Sequence, residues 1–194
     1  MHKMLFAIAT LLLVSGSAFA QNLSGETEVG TDGKGEGFFS QYLFYDFKKV
    51  NVLTRYFYVN EVLQRGEFAI GPTLKLRNGN VLKLQFGGTT DKEVMLAGTF
   101  IAKIKGREVL YIADGKLSTQ DGPHTLYQKL FVPLVKNGAW QFRVEDLQVD
   151  SDQGFLRVGL EYQHKIPDNA HIFVAPFYDP IQKAVGGQFG LRFF

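Results

Sequence analysis

Apolar and polar residues alternate along most of the chain, and this alternation is the feature that most restricts the possible folds. In 67–77, 81–89, 139–149 and 154–164, apolar residues recur at every second position over much of each segment. A period of two places side chains alternately on the two faces of a β-strand, whereas a helix has a period of about 3.6. Turn-forming groups such as Asn78-Gly79 separate these segments. The pattern predicts an all-β chain of short strands.

The number of such segments suits a closed sheet. Eleven strand-like segments follow Gly37, and they lie near 37–47, 50–59, 67–77, 81–89, 93–104, 107–117, 125–135, 139–149, 154–164, 171–178 and 184–194. Residues 22–29 supply a twelfth, more weakly alternating candidate. A closed antiparallel barrel with both termini at one end needs an even number of strands. We therefore expect a closed antiparallel β-barrel of about 12 strands, with 10 as the fallback.

The last segment, GGQFGLRFF, ends on two phenylalanines. Gly187, Phe189, Leu191 and Phe193 share one face, which leaves Phe194 out of step. In a water-soluble protein such a terminus would leave an apolar edge with unpaired backbone groups. Closing the sheet removes that edge, because the last strand then pairs with the first.

The first twenty residues predict export. Residues 1–20 combine a basic start, an apolar run and small residues before Gln21, as secretory signal peptides do. The apolar run is too short for a comfortable membrane-spanning helix, and the absence of Cys at position 21 argues against a lipid anchor. We expect 21–194 to form a single β-barrel domain. The chain contains no cysteine, so disulfides cannot stabilise it.

Together these features resemble those of bacterial outer-membrane β-barrels, a porin-like class. The resemblance covers the signal peptide, the strand rhythm and residues 184–194. It implies a transmembrane barrel in the outer membrane of a Gram-negative cell, in contact with lipid. It also implies that the barrel-assembly machinery reads the C-terminal strand. A barrel suits a membrane because every backbone group finds a partner within the closed sheet. The class further implies short periplasmic turns and longer outer loops.

The polar face of the strands would line the lumen. On the best-alternating strands this face carries seven basic and two acidic side chains, which favours anions. We expect a narrow passive channel for small hydrophilic, anionic solutes, without a cofactor. The proposed lining residues are Lys75, Lys83, Lys103, Arg143, Glu145, Arg157, Glu161 and Arg192. Alternatively, four of these residues pair across the lumen and plug it: Arg143, Glu145, Arg157 and Glu161.

Two other functions remain open. One is a non-conducting structural or adhesion barrel, and the other is a soluble periplasmic β-barrel binding protein with its apolar face inside. An enzyme is not indicated, because Ser118 and His124 share a loop without any recognisable nucleophile motif. The scattered histidines give no metal-site pattern. Residues 21–194 carry 20 Lys+Arg against 19 Asp+Glu, and this near-neutral balance argues against a nucleic-acid partner.

Overall fold

The fold is taken from a computed structural model of the whole chain. It describes residues 23–31, 37–59, 63–119, 122–135, 138–150, 152–166 and 169–193. The predicted signal peptide and the parity of Phe194 lie outside these residues.

Twelve β-strands run through the described residues, as the alternation predicted. In chain order they are β1 (Leu23–Thr31), β2 (Gly37–Phe47), β3 (Val50–Val59), β4 (Leu63–Lys75), β5 (Val81–Thr89), β6 (Glu93–Ile104), β7 (Arg107–Ser118), β8 (Thr125–Pro133), β9 (Trp140–Val149), β10 (Asp152–Ile166), β11 (Ala170–Asp179) and β12 (Ala184–Phe193). The described residues contain one short 3-10 turn, Arg77–Gly79, and no helix that is long and apolar enough to cross a membrane.

The strands form one closed antiparallel barrel. Each strand pairs with its neighbours in sequence, and β1 also pairs with β12. This closing register runs from Gly25 opposite Phe193 to Thr31 opposite Gly187. The predicted 12-strand barrel is therefore confirmed, and the C-terminal strand has partners on both sides. We call the end that carries the first residue of β1 and the last of β12 the terminal end, and the opposite end the distal end.

The predicted difference in loop length between the two ends is wrong. The strand bounds leave connections of two to six residues at either end. The reason is that β4 and β10 continue into segments that the sequence suggested were loops. In β4, Leu63 already pairs with Val59, and in β10, Asp152 pairs with Val149. Short turns also occur at the terminal end, as at Lys105-Gly106 between β6 and β7, where φ is 50° and 75°.

The two faces of the barrel differ as the alternation predicted. The outward side chains are largely apolar and exposed, with Phe68 at 52%, Phe86 at 63% and Val185 at 73% of their surface accessible. The inward side chains are mostly polar or charged and buried. One inward region is apolar, because Leu53 and Met95 pack there with two alanines. The lumen therefore has an apolar region as well as a charged one.

Candidate functional site

The structure separates the eight predicted lining residues into two groups. Lys83, Arg143, Glu145, Arg157, Glu161 and Arg192 lie inside the barrel and are buried or half-buried. Lys75 and Lys103 lie at the terminal rim and are exposed. At that rim Lys103 pairs loosely with Glu108, at 3.4 Å. Two of the eight therefore stand at a mouth of the barrel rather than along its interior.

Arg143 on β9 is the centre of a cluster of ion pairs. Its guanidinium contacts Glu28 across the lumen at 2.6 Å and Glu161 on β10 at 2.9 Å. It also donates to Glu145 on its own strand, at 3.0 Å from Nε. Glu161 has no exposed side-chain surface. Arg143 therefore joins three carboxylates from three strands.

Two further cations complete this cluster. Arg192 on β12 contacts Glu161 at 2.8 Å and also pairs with Glu26 on β1. Lys129 on β8 contacts Glu26 at 2.7 Å and Glu145 at 3.1 Å. Each pair brings side chains of different strands together inside the barrel. Buried charges are costly unless they are paired and hydrogen-bonded, and here each carboxylate has at least two partners.

A second cluster occupies the other side of the lumen. Arg55 on β3 reaches Asp114 on β7 through two hydrogen bonds, at 2.6 and 2.9 Å, and it also pairs with Glu67 on β4. Lys116 bridges the two carboxylates, at 3.0 Å from Glu67 and 2.9 Å from Asp114. This two-pronged contact fixes the orientation of the Arg55 guanidinium.

Two tyrosines connect the clusters. The Arg55 guanidinium lies 5.1 Å from the ring centre of Tyr42 and 5.8 Å from that of Tyr127. On the other side, the Lys129 ammonium lies 5.4 Å from the Tyr42 ring, and the Tyr127 hydroxyl donates to Glu145 at 3.4 Å. We call the two clusters and these tyrosines the septum. Its residues come from β1–β4, β7–β10 and β12, and they meet across the lumen.

Cavities lie on both sides of the septum. The distal vestibule has a volume of about 390 Å³ and is lined by Phe57, Val59, Tyr127, Leu147, Phe155 and Arg157, among others. The terminal vestibule has a volume of about 280 Å³, with Phe44, Lys83, Ile101, Leu110, Ile112 and Phe131 in its wall. Tyr42 lines both cavities. The lumen is thus divided into two halves.

The predicted excess of basic side chains does not hold inside the barrel. Among the described buried residues, eight are acidic and six are basic. Glu26 and Glu28 were missed because β1 alternates weakly. Lys129 was missed because β8 carries apolar residues on both faces. Acidic side chains therefore slightly outnumber basic ones among the described buried residues.

The two loop residues considered for catalysis, Ser118 and His124, lie next to each other. The Nδ1 atom of His124 accepts a hydrogen bond from the Ser118 backbone N–H at 3.2 Å. In the part of the chain that the structure describes, no group of three His, Asp or Glu side chains could hold a metal ion.

Comparison with solved structures agrees with this architecture. A KdgM porin, solved in complex with disordered oligogalacturonate, aligns with a TM-score of 0.61 at 8% identity, over 88% of this chain and 98% of that chain. A second KdgM porin structure gives 0.61 at 10% identity, with the same coverage of both chains. The outer membrane protein Omp33 of Acinetobacter baumannii gives 0.52 at 11% identity, over 89% and 97%. No protein-family model and no curated protein sequence matches the chain. The chain has the fold of a porin-like β-barrel.

Proposed function

We propose that this chain forms a narrow passive channel for small hydrophilic anions in the outer membrane of a Gram-negative cell. The observation that carries the proposal is the arrangement of the two vestibules. They lie on opposite sides of the septum within one barrel, and Tyr42 lines both. Displacement of a few septum side chains would join them. Such a channel would conduct little, and only while the septum is open.

The outer surface supports a position in lipid. Exposed apolar side chains lie on strands all round the barrel, including Phe68, Leu96, Val174 and Phe189. Trp140 lies near the terminal end, with its ring 5.0 Å from that of Tyr162. Aromatic residues form girdles at the membrane interfaces of such barrels. A soluble binding protein would expose far less apolar surface. Lipid and the barrel-assembly machinery, acting on β12, are the partners we propose.

The preference for anions is supported by particular residues rather than by the total charge. Arg157 faces the distal vestibule, and the nearest carboxylate of the described residues, that of Glu145, is 3.8 Å away. Lys75 and Lys103 stand exposed at the terminal rim. Cations at both mouths would raise the local concentration of anions.

A non-conducting barrel is the second candidate, and the septum favours it. Glu161 is fully buried, and Lys129 and Arg143 are almost so. A layer of paired charges across a barrel can stabilise it without passing any solute. This function would need no opening motion.

Planar-bilayer recording separates the two candidates. The channel predicts small current steps and a reversal potential on the anion side in a salt gradient. Changing Arg157 to Glu should reduce or reverse that selectivity. Current steps with unchanged selectivity in this variant would show that Arg157 does not line the conducting path. A barrel that inserts, as shown by heat-modifiable gel migration, and yet carries no current would favour the second candidate. A chain that stays monomeric without detergent would refute both.

A further inference from the structure

Arg157 is the least neutralised of the cations buried or half-buried in the described lumen. Among the residues that the structure describes, its only carboxylate contact is the 3.8 Å approach to Glu145, and its Nε has no hydrogen-bond partner. Its side chain is nevertheless only 11% exposed. The other buried cations each have a carboxylate oxygen at 2.9 Å or less: Arg55, Lys83, Lys116, Lys129, Arg143 and Arg192. A guanidinium with free donors in a sheltered place can receive an anion from outside the chain.

Aromatic rings hold this guanidinium in place. It lies 4.1 Å from the ring centre of Phe155, 4.8 Å from that of Phe177 and 5.3 Å from that of Phe38. Stacking on aromatic faces leaves the edge of the guanidinium, where its N–H groups point, available for hydrogen bonding. The rings therefore fix Arg157 without neutralising its charge.

Glycines on the neighbouring strands make room for two of these rings. A Cβ atom at Gly186 would lie 2.4 Å from Cζ of Phe177, and one at Gly30 would lie 2.7 Å from Cζ of Phe38. These contacts are closer than real Cβ atoms allow, so only glycine lets the rings lie flat on the wall. The position of Arg157 thus depends on two glycine–phenylalanine contacts that involve four strands. The site around Arg157 is therefore preorganised by the barrel wall.

The acidic residues of the same vestibule do not oppose an anion there. Glu28 is paired with Arg143 at 2.6 Å, and Glu67 is paired with Lys116 at 3.0 Å. Glu145 receives hydrogen bonds from Arg143 at 3.0 Å and from Gln188 at 3.0 Å. Because these carboxylates are neutralised locally, Arg157 determines the sign of the charge that the vestibule accepts.

Most of the exposed wall around Arg157 is apolar, although charged and polar side chains also line the vestibule. Phe57, Val59, Leu147 and Phe155 all line the distal vestibule. Its volume of about 390 Å³ lies within the range of about 300–1,000 Å³ that is usual for small-molecule sites. A ligand with one carboxylate and an apolar or aromatic body would satisfy both the cation and the wall.

We propose that the distal vestibule is a binding site for a small monocarboxylate with an aromatic or apolar body, whose carboxylate is held by Arg157. The proposal deepens the anion preference of the proposed channel, but binding does not require the septum to open. A failure of conduction therefore leaves this proposal standing, and a failure of binding leaves conduction to be judged separately.

Calorimetric titration tests the proposal on the full barrel in lipid nanodiscs, with empty nanodiscs subtracted. The probes are phenylacetate, its neutral analogue 2-phenylethanol, and D-galacturonate, a hydrophilic carboxylate. We expect phenylacetate to bind the barrel at least about tenfold more tightly than either other probe, since only it matches both the charge and the wall. Absence of phenylacetate binding would overturn the proposal. Equal binding of 2-phenylethanol would show that Arg157 does not hold the carboxylate. Equal binding of D-galacturonate would show that the apolar wall does not contribute to binding.

Variants assign the effect to the residue. Arg157→Gln should weaken phenylacetate binding about tenfold or more, and Arg157→Lys should give an intermediate loss because lysine lacks the planar donors. Lys183→Gln is the matched control, since it removes one positive charge from the exposed β11–β12 turn at the same end. It should leave binding within about twofold. Heat-modifiable migration shows that each variant is folded. Unchanged binding in folded Arg157→Gln, or an equal loss in Lys183→Gln, would refute the assignment.

Discussion

Replacing Arg143 by alanine tests whether the septum holds the barrel together. Arg143 contacts Glu28 at 2.6 Å, Glu161 at 2.9 Å and Glu145 at 3.0 Å. Its removal leaves three buried carboxylates with one cation fewer. Lys103 offers a matched control, because it was proposed for the same lining but its pair with Glu108 is 53% and 63% exposed.

The size of the effect follows from the contacts that remain. Without Arg143, Glu28 keeps Lys129 at 3.4 Å, Glu145 keeps Lys129 at 3.1 Å, and Glu161 keeps Arg192 at 2.8 Å. Each carboxylate therefore keeps at least one cationic partner, and the total cost in stability is less than three times the cost of one broken pair. Removing one partner of a buried pair typically costs about 3–5 kcal/mol, and we expect a value in that range for Arg143→Ala. Lys103→Ala should cost less than about 1 kcal/mol, as exposed pairs do.

The chain carries its own reporter for this measurement. Trp140 is its single tryptophan, and it lies 45% exposed at the start of β9. Urea unfolding of the barrel in lipid, followed by tryptophan fluorescence, gives the free energy of unfolding of each variant. A cost below about 1 kcal/mol for Arg143→Ala, or an equal cost for Lys103→Ala, would refute the view that the septum is a stabilising layer.

Three further predictions use other parts of the barrel. Gly190→Ala should lower the free energy of unfolding by about 1–3 kcal/mol, because the added Cβ would lie 2.3 Å from the Thr27 carbonyl oxygen. Gly115→Ala should have no such effect, because the space around Gly115 is open. Equal effects of the two variants in urea unfolding would contradict this. Asn78→Val should cost about 1–2 kcal/mol in the same assay, since φ is 63° there and a branched side chain resists that conformation. If the proposed channel opens at the septum, Arg55→Ala should raise single-channel conductance, and an unchanged conductance would place the barrier elsewhere.

The strands could be predicted from the sequence because each carries its own signal. The bounds of β2, β3, β5 and β6 match the prediction to the residue. Alternation and turn residues are local properties, so they can be counted without knowledge of the fold. The extra length of β4 and β10 was missed for the opposite reason. Those residues are strands because a neighbour is available for pairing, and the sequence of the segment alone does not show it.

The septum could be predicted only in part. Pairing was expected among Arg143, Glu145, Arg157 and Glu161, which lie on adjacent strands with clear alternation, and Arg143 does contact Glu145 and Glu161. The contact from Arg143 to Glu28 was not expected, since it joins β9 to β1 across the lumen. Such contacts depend on the closure and width of the barrel. β7 and β8 also carry apolar residues that face inward, such as Ile112 and Phe131. These residues obscure the alternation, so the sequence does not show that Lys129 points inward.

The width of the barrel explains why the septum is made of long charged side chains. Side chains just fill the interior of an eight-stranded barrel, and twelve strands enclose a wider space. Arginine, lysine and glutamate are long enough to meet across it, as Lys129 does with Glu26 at 2.7 Å. Burying them is costly, and pairing offsets that cost only while the partners stay together. Polar side chains also line the vestibules, such as Gln163 on the terminal side and Ser40 and Gln188 on the distal side, and they could hydrogen-bond a septum charge that leaves its partner. Separating the septum ion pairs should therefore cost less free energy than unfolding the barrel wall. A layer that closes the lumen and can also open needs this difference.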